Sequence, residues 1–261
     1  MPRVPSGRNW LAVLGRPAMV RLAVVAGLVL AWEWTARQFG NPLFVSPPSH
    51  VAVAMFGLLR DPEILHGIAL TCWELIAAFA LSVVIGLGVG LLVGLHRFTR
   101  ASFYPIVLVL YAVPLVTILP LFVLVFGIGP ASKIAFGACH GVFPIILTVS
   151  AGVQNIDPVL LTSARSMGAS RRQIVSSVVF PHMVPAFFTG MRLAMTTVLL
   201  GVLLAELYVS QAGVGHFASQ FTQTFQPQKL FALIVLLAAI AVTLNEACRW
   251  GEKRFSRWQA R

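Results

Sequence analysis

Acidic residues inside long apolar runs are the first candidates for chemistry in this sequence. Glu33, Glu74, Glu206 and Glu246 each interrupt such a run. A carboxyl group is costly inside a membrane and often marks a solute path or a contact between helices. Glu33 and Glu246 lie near the ends of their runs, where they can reach headgroups or a nearby Arg. Glu74 and Glu206 are the sharper candidates; Glu206 lies near the outer end of its run, and Ser210 follows one turn later. We therefore expect Glu206 to act in gating or in helix pairing.

The other polar residues form no catalytic or nucleotide-binding set. The six histidines are scattered, and no H-E-x-x-H or other metal-ligand spacing is present. His140 and Ser150 leave an intramembrane hydrolase as an alternative, but nothing in the sequence supports their pairing. A phosphate-binding loop reads G-x-x-x-x-G-K-[ST], and the nearest run, GIGPASK, lacks the second Gly and the last hydroxyl residue. We predict no catalytic residue, no metal and no cofactor bound by this chain.

The composition indicates a membrane-embedded protein. Of the 261 residues, 58% are hydrophobic and only 10% are charged, whereas soluble domains carry about 25% charged residues. A membrane-spanning helix needs about 20 mainly apolar residues. Six runs meet this requirement, at residues 19–39, 64–95, 103–126, 131–152, 186–208 and 229–248. We predict an all-α integral membrane protein with about six transmembrane helices, folded as a single domain over residues 1–261.

Proline interrupts the third and fourth predicted spans. Within a membrane, proline frees a backbone carbonyl, which is tolerated where protein or a wet cavity satisfies it. We therefore predict that these two spans line the path, together with nearby polar residues and the acids Glu74 and Glu206 within other spans. The candidate path and gate residues are Glu74, Tyr111, Pro114, Thr117, Pro120, His140 and Glu206.

Small residues recur along the second predicted span. Gly86, Gly90 and Gly94 form two overlapping G-x-x-x-G steps, with Gly88 between them. Such steps let helix backbones approach closely. They are equally consistent with tight packing inside one chain and with a seam between two chains.

The distribution of Lys and Arg predicts the orientation in the membrane. The net charge of +11 indicates, in a membrane protein, an excess of cations on the cytoplasmic side. If the N-terminus is cytoplasmic, all but four of the nineteen Lys and Arg fall on that side; the exceptions are Arg37, Arg60, Lys133 and Lys229. We predict a cytoplasmic N-terminal tail (1–18), a cytoplasmic C-terminal tail (249–261) and a central segment (155–185) on the same face.

Two segments on the opposite face have helical patterns of their own. The run SPPSHVAVAMFGLLRD predicts a turn followed by a short helix that Ser49 caps. In GVGHFASQFTQTFQPQK, Phe217, Phe221 and Phe225 recur every four residues. This spacing predicts a helix with one aromatic face, lying at the outer surface or packed on its neighbours.

The central segment predicts two short helices joined at a glycine. Asp157 and Pro158 are typical of a helix start, as an acidic N-cap followed by a first-turn proline. Gly168 suits the left-handed position that ends a helix. Ser170 and Gln173 then form an S-x-x-Q capping box that begins a second helix.

Three interpretations of the central segment are open on these grounds. We predict that the second helix of the segment ends at Pro181. The resulting pair of short helices could be an amphipathic loop, a DNA-binding helix-turn-helix or a docking element for a cytoplasmic partner. A helix-turn-helix is disfavoured because spans tether the segment at both ends and keep it from a major groove. We therefore expect no nucleic-acid partner.

The segment resembles a loop of the permease subunits of binding-protein-dependent ABC importers. That loop reads E-A-A, three residues, then Gly, and ends in Pro-x-x-x-Pro. The matching residues are Ala164, Gly168, Pro181 and Pro185. Thr162 and Ser163 stand where the family often has Glu and Ala. The resemblance implies a coupling helix that sits in a cleft of a cytoplasmic ATPase. The coupling residues that we assign by this resemblance are Ala164, Met167, Gly168, Ala169, Ser170, Pro181 and Pro185.

Further stretches resemble the branch of that family with nitrate, sulfonate and taurine permeases, whose close relatives carry riboflavin or pyrimidine-type precursors. They are LFVSPPSHV, PLVTILPLFVLVFGIGPASKIAF, FPIILTVSAGV and AELYVSQAGVG. Many anion permeases have an Arg near LTCWELIAAF, where this chain has Glu74. The resemblance implies two permease chains, here as a homodimer, two ATPase subunits that hydrolyse ATP, and a periplasmic solute-binding protein.

Together these features predict a type I ABC importer permease fold with a cytoplasmic coupling loop, in the lipid bilayer of a bacterial inner membrane. The function that they imply is import by alternating access of a sulfonate, nitrate or taurine. Alternatives are a riboflavin-, pyrimidine- or thiamine-type precursor as solute, a gradient-driven carrier and an intramembrane enzyme. A carrier would be expected to show internal repeats and ion-coordinating carboxylates near the midplane, and neither is clear in this chain.

Overall fold

The computed structural model describes residues 17–41 and 43–255, and within them the chain is helical without strands. The helices are α1 (Pro17–Phe39), α2 (Pro48–Leu58), α3 (Pro62–Leu95), α4 (Arg97–Ala112), α5 (Leu119–Phe126), α6 (Pro130–Gln154), α7 (Pro158–Ser166), α8 (Arg171–Val209), α9 (Val214–Gln223) and α10 (Pro227–Phe255). Helix α8 contains one π-helical turn, Val175–Val179, and a 3₁₀ turn, Leu115–Ile118, precedes α5.

Most of the predicted tails lie outside the described residues. Only residues 17 and 18 of the N-terminal tail are described, as the start of α1. Residues 249–255 of the C-terminal tail continue α10 as helix, and residues 256–261 are outside the described range.

Five described helices, α1, α3, α6, α8 and α10, are long and apolar enough to cross a membrane. The third predicted span, 103–126, is broken: α4 and the α5 region meet at an angle of 84°, so they form a sixth span only if the bent pair counts as one. The break lies at Pro114. Its ring disfavours a helical conformation at the preceding residue, and Val113 is extended, with ψ 133°. The other five predicted spans are confirmed as helices.

Acidic side chains cap two helices at the end of the bundle opposite to the central segment. Asp61 Oδ1 accepts from the backbone N–H of Glu63 at 3.0 Å, as the Asp-Pro start of α3 predicts. The prediction that Ser49 caps α2 is wrong, because Pro47 is the N-cap residue and Ser49 already lies inside the helix. Glu33 of α1 performs this role, since it accepts from Ser49 N at 3.0 Å and from Ser49 Oγ at 2.9 Å.

The centre of the bundle is formed by α3, α6 and α8, and the glycines of α3 set its spacing. A Cβ at Gly86 would lie 2.7 Å from Cβ of Ile145, and one at Gly90 would lie 2.9 Å from Cβ of Val149, both on α6. These separations are too short for any side chain. The glycine repeat therefore serves packing inside the chain at these positions. Gly88, in contrast, has no atom within 4 Å of its Cβ position.

We expect Gly86→Leu to lower the thermal stability of the protein, because the new side chain must push α3 away from α6. Overpacking of this kind costs about 1–3 kcal/mol. The matched variant Gly88→Leu keeps the stability of the wild type, since its side chain points into open space. Thermal unfolding in detergent, followed by loss of monodisperse protein, distinguishes the two. Equal melting temperatures for both variants would contradict this packing.

Helix α9 closes the end of the bundle opposite to the central segment. Phe217 and Phe221 are buried against Val51 of α2, Ile64 of α3 and Leu233 of α10. The predicted aromatic face is thus confirmed for two of its three members. Phe225 departs from it, because α9 ends at Gln223 and Phe225 follows in the left-handed region with φ 52°.

Candidate coupling segment and transport path

The first half of the central segment folds as its sequence predicts. Asp157 Oδ1 accepts from the backbone N–H of Val159 at 2.8 Å and begins α7. Gly168 ends it with φ +78°, a conformation that side chains with a Cβ rarely adopt. The backbone N–H of Ala169 then donates to Ala164 O at 3.1 Å, which closes the turn.

The capping box that begins the next helix is also confirmed. The backbone N–H of Ser170 donates to Gln173 Oε1 at 2.8 Å, and Gln173 N donates to Ser170 Oγ at 3.4 Å. These reciprocal bonds satisfy two backbone donors that a helix start leaves free. The turn between α7 and α8 is therefore held by local bonds alone.

The segment presents its tip away from the rest of the chain. Met167 is 81% exposed and Val159 is 65% exposed, whereas Ala164 is buried. The tip therefore exposes apolar side chains beside a turn of defined geometry. Gly168 and Ser170 lie beside it and are exposed too.

The prediction that the second helix ends at Pro181 is wrong. The chain continues as α8 from Arg171 through Pro181 and Pro185 to Val209. A proline inside a helix removes one hydrogen bond and clashes with the carbonyl four residues earlier. Here the turn before it is π-helical, and Phe180 N donates to Val175 O, five residues back. The wider turn accommodates Pro181 without a break.

Continuity of α8 links the exposed tip to the opposite end of the bundle. Its 39 residues correspond to about 58 Å at 1.5 Å per residue. The first turn of this helix belongs to the capping box, and its last turns contact α3, α6 and α9. Helix α8 therefore joins the tip to the core without a break.

The candidate path residues fall into two groups. Tyr111, Pro114, Thr117 and Pro120 lie on the bent α4–α5 pair, and all four are exposed. The hydroxyl of Thr117 donates to Pro114 O at 2.8 Å. A neighbouring side chain therefore satisfies the backbone carbonyl at the bend. An apolar cleft of about 400 Å³ between the bend and the end of α8 includes Pro120. These four residues can face a path or a second chain.

The other three candidates, Glu74, His140 and Glu206, are buried inside the chain. His140 Nδ1 lies 3.0 Å from Phe136 O, and its ring packs against Gly201 of α8. The structure therefore places His140 in the α6–α8 packing.

Glu74 forms a buried ion pair that the sequence did not reveal. Lys133 Nζ of α6 lies 2.5 Å from Glu74 Oε1, with the two side chains 4% and 0% exposed. Lys133 also donates to Ser210 Oγ at 3.1 Å. Neither oxygen of Glu74 accepts a hydrogen bond of regular geometry among the described residues, so Lys133 holds it mainly by charge. The negative charge of Glu74 is therefore paired with Lys133 inside the chain and does not face a solute.

Glu206 caps the helix that closes the bundle. Its Oε1 accepts from Thr71 Oγ1 at 2.6 Å, and its Oε2 accepts from the backbone N–H of Gly215 at 2.8 Å. Thr71 Oγ1 in turn accepts from Val214 N at 2.9 Å. The carboxylate therefore lies at the positive end of the α9 dipole, which favours its negative charge. The prediction of helix pairing agrees with this geometry.

Gly213 is required at this cap. It has φ +108°, and a Cβ there would lie 2.1 Å from Glu206 Oε1. Any side chain would therefore displace the carboxylate and strain the backbone. Helices α3, α6, α8 and α9 are thereby joined by one buried polar cluster: Thr71, Glu74, Lys133, Glu206 and Ser210.

Lys133 and Thr71 are members of this cluster that the sequence did not reveal. The count of spans from a cytoplasmic N-terminus predicts only that Lys133 lies on the outer side. One signal was available, because Lys133 is the one Lys or Arg between residues 101 and 164. A cation within such apolar spans usually pairs with an acid. Thr71 offered no signal beyond its position one turn before Glu74. Within the described residues, no group of three or more His, Cys, Asp or Glu side chains is arranged to hold a metal ion.

The chain is similar to a family of transport proteins. A family model for the inner membrane component of binding-protein-dependent transport systems matches residues 82–257, well over half of the chain. The chain belongs to this family. The match includes the central segment and four of the five long apolar helices in whole or in part. The permease is therefore a subunit of a binding-protein-dependent ABC importer in the inner membrane, as predicted, and it is not an enzyme.

Several curated relatives are similar over nearly the whole chain. The permease is 28% identical over 257 residues to the taurine transport system permease protein TauC of Escherichia coli, covering 96% of this chain and 93% of TauC. It is 28% identical over 258 residues to the putative aliphatic sulfonates transport permease protein SsuC of Bacillus subtilis, with coverages of 96% and 94%. It is 26% identical over 215 residues to the formylaminopyrimidine transport permease protein ThiX of Halalkalibacterium halodurans, with coverages of 82% and 86%.

Solved structures with the same fold are also importer subunits. The MetNI methionine ABC transporter, in an inward-facing conformation, gives a TM-score of 0.65 at 21% identity and covers 73% of this chain and 95% of that chain. A bacterial ABC transporter that imports the polysaccharide alginate gives 0.66 at 13% identity, with coverages of 94% and 95%. The permease has the type I ABC importer permease fold, which confirms the predicted fold class.

Proposed function

We propose that the permease moves a small solute across the inner membrane by alternating access, driven by ATP that a partner subunit hydrolyses. The solute arrives from an extracytoplasmic binding protein, and the permease itself binds no cofactor. Two ATPase subunits and a second copy of the permease complete the transporter. Binding of ATP brings the two ATPases together, and this differential contact selects one conformation of the permease.

The helix–glycine–helix tip carries this proposal. Met167, Gly168 and Ser170 are exposed on a turn that local hydrogen bonds hold in shape, and α8 continues from this turn through the whole bundle. The tip thus has the features of a mechanical link: a defined surface, no partner in the described chain and a rigid connection to the core. The matching residues Ala164, Pro181 and Pro185 support the geometry of this link.

The proposed orientation places both termini and the tip in the cytoplasm. It is supported by the excess of Lys and Arg on that side and by the need of the tip to meet a cytoplasmic ATPase. The exposed bend with Tyr111, Pro114, Thr117 and Pro120 is then our candidate for the wall that faces the second copy and the solute path. Glu74, His140 and Glu206 act from inside the chain, as supports of that wall.

The proposed solute is a small organic anion such as taurine or another sulfonate, or else nitrate. The relatives TauC and SsuC, similar over nearly the full chain, support this class. A pyrimidine-type precursor is the second candidate, because ThiX is also similar. Glu74 does not argue against an anion, since its charge is paired with Lys133 inside the chain.

Uptake into vesicles that contain the whole transporter tests this proposal. We expect uptake of labelled taurine or an alkanesulfonate to stop when the ATPase subunit is inactivated by mutation while the membrane potential stays intact. Labelled formylaminopyrimidine, used in parallel, tests the second solute class. A cysteine at position 167 is expected to cross-link to the ATPase, which also tests the orientation. Uptake that follows the potential and ignores the ATPase mutation would mean a gradient-driven carrier.

A further inference from the structure

A cationic cavity of about 630 Å³ lies between the bundle and the central segment. We call it the basic cavity. Its cationic lining residues are Arg100, Arg165 and Arg171, which come from α4, α7 and the start of α8, and His96 of the α3–α4 junction also lines it. Apolar side chains line the same cavity: Leu95, Val153, Ile156, Leu161, Ile174 and Val179.

Within residues 17–41 and 43–255, no carboxylate lines the basic cavity. Asp157 is the only acid between residues 75 and 205; it does not line the basic cavity, and its carboxylate caps α7 instead. Among the described residues, Arg100, Arg165 and Arg171 form no ion pair. Three guanidinium groups without an ion-pair partner line one cavity, which favours binding of an anion. The planar guanidinium group matches the geometry of phosphate especially well.

The basic cavity and the exposed tip use different faces of α7. Pro158, Leu161 and Arg165 are spaced three and four residues apart, so they share one face of the helix, and all three line the cavity. Val159 and Met167, which are strongly exposed, project elsewhere. A ligand in the cavity therefore does not compete directly with a partner at the tip.

The position of the cavity indicates what kind of anion fits. It lies where the long apolar helices α3 and α6 end, at Leu95 and Gln154. This is the level at which lipid headgroups meet the protein. A cavity lined by both arginine and apolar side chains matches a molecule with a phosphate and a hydrocarbon part, rather than a free ion or an acidic peptide. Basic pockets between helices on the cytoplasmic side are known to suit anionic headgroups.

We propose that the basic cavity binds an anionic phospholipid of the leaflet that meets the central segment, through its phosphate group. Arg100, Arg165 and Arg171 hold the phosphate, and the apolar lining residues contact the start of the acyl chains. The lipid thereby connects the α3–α4 junction to the two helices of the tip. This proposal concerns binding alone and does not depend on the proposed ATP-driven transport.

Lipid retention by the purified full-length permease tests the proposal. The protein is placed in phosphatidylcholine nanodiscs with increasing phosphatidylglycerol, and native mass spectrometry counts the bound phosphatidylglycerol. Each arginine near the headgroup contributes about fivefold in affinity, so Arg165→Gln/Arg171→Gln is expected to bind about 25-fold more weakly. The charge-retaining variant Arg165→Lys/Arg171→Lys keeps most of the affinity. All the exchanged residues are exposed, so the fold is maintained.

Arg172→Gln is the matched control, because Arg172 is exposed next to Arg171 but does not line the cavity. The affinity of this variant for phosphatidylglycerol is expected to change by less than about twofold, since only a long-range charge interaction is lost. Three results would overturn the proposal: unchanged retention in the Arg165/Arg171 double variant, an equal loss in Arg172→Gln, or complete displacement of the lipid by millimolar inorganic phosphate. The last result would mean a site for a free anion.

Discussion

The Lys133→Met variant is expected to lose about 3–5 kcal/mol of unfolding free energy, because it leaves Glu74 buried without a positive partner. Lys133 Nζ and Glu74 Oε1 are 2.5 Å apart, and both side chains are enclosed. The loss also frees Ser210, which Lys133 contacts from α6. Equilibrium unfolding in mixed micelles measures the change. In cells, the expected readout is a reduced amount of inserted permease.

A second substitution shows whether the loss arises from the unpaired charge. In Lys133→Met/Glu74→Leu both charges are absent, and replacing a buried pair by apolar residues is often neutral or stabilising. We expect this double variant to recover most of the stability of the wild type. Lys229→Met is the surface control: Lys229 is exposed over the ring of Phe221, a contact that contributes about 0.5–1 kcal/mol. A single variant as stable as the wild type would show that the pair does not support the bundle.

The Gly168→Leu variant is expected to insert normally and to lose transport. Gly168 has φ +78°, and a residue with a Cβ in this region costs about 1–2 kcal/mol. The turn would shift to relieve that strain, so the tip would no longer present the same surface. About 1.4 kcal/mol corresponds to a tenfold change in an equilibrium, and we expect recovery of the ATPase with the permease to fall by about that factor. Uptake falls with it.

Gly168→Asn separates backbone strain from side-chain bulk. Asparagine tolerates the left-handed conformation better than leucine does, and no atom lies within 4 Å of the Cβ position. We expect this variant to keep most of its ATPase association and uptake. Co-purification and vesicle uptake are measured on the same preparations. Normal transport and normal ATPase recovery in Gly168→Leu would remove the tip from the coupling mechanism.

The local turns of this protein could be predicted because nearest neighbours alone determine them. The Asp157 cap, the left-handed Gly168 and the Ser170–Gln173 box each depend on residues within a few positions of one another. The same holds for the Asp61 start of α3. Hydrophobic run length likewise predicted five of the spans, because a bilayer imposes a length on any helix that crosses it.

Predictions failed where a distant residue or a backbone adjustment offered an alternative. Ser49 was assigned to its own helix start, but Glu33, sixteen positions earlier, binds there instead. Pro181 was assigned as a helix end, yet a π turn accommodates it. Pro114, in contrast, does break its span. The sequence signals of the two prolines are alike, and the difference lies in the neighbouring turn of helix.

Apolar run length and local capping act over short distances, so the amino-acid sequence was enough to predict that this chain crosses a membrane and to predict the shape of the tip. The role of the buried charges, in contrast, depends on how the helices pack in three dimensions. Glu74, Lys133 and Glu206 come from three different helices, and a carboxylate in an apolar run carries no information about which cation or helix end it will meet. Their partners were set by the packing of α3, α6, α8 and α9.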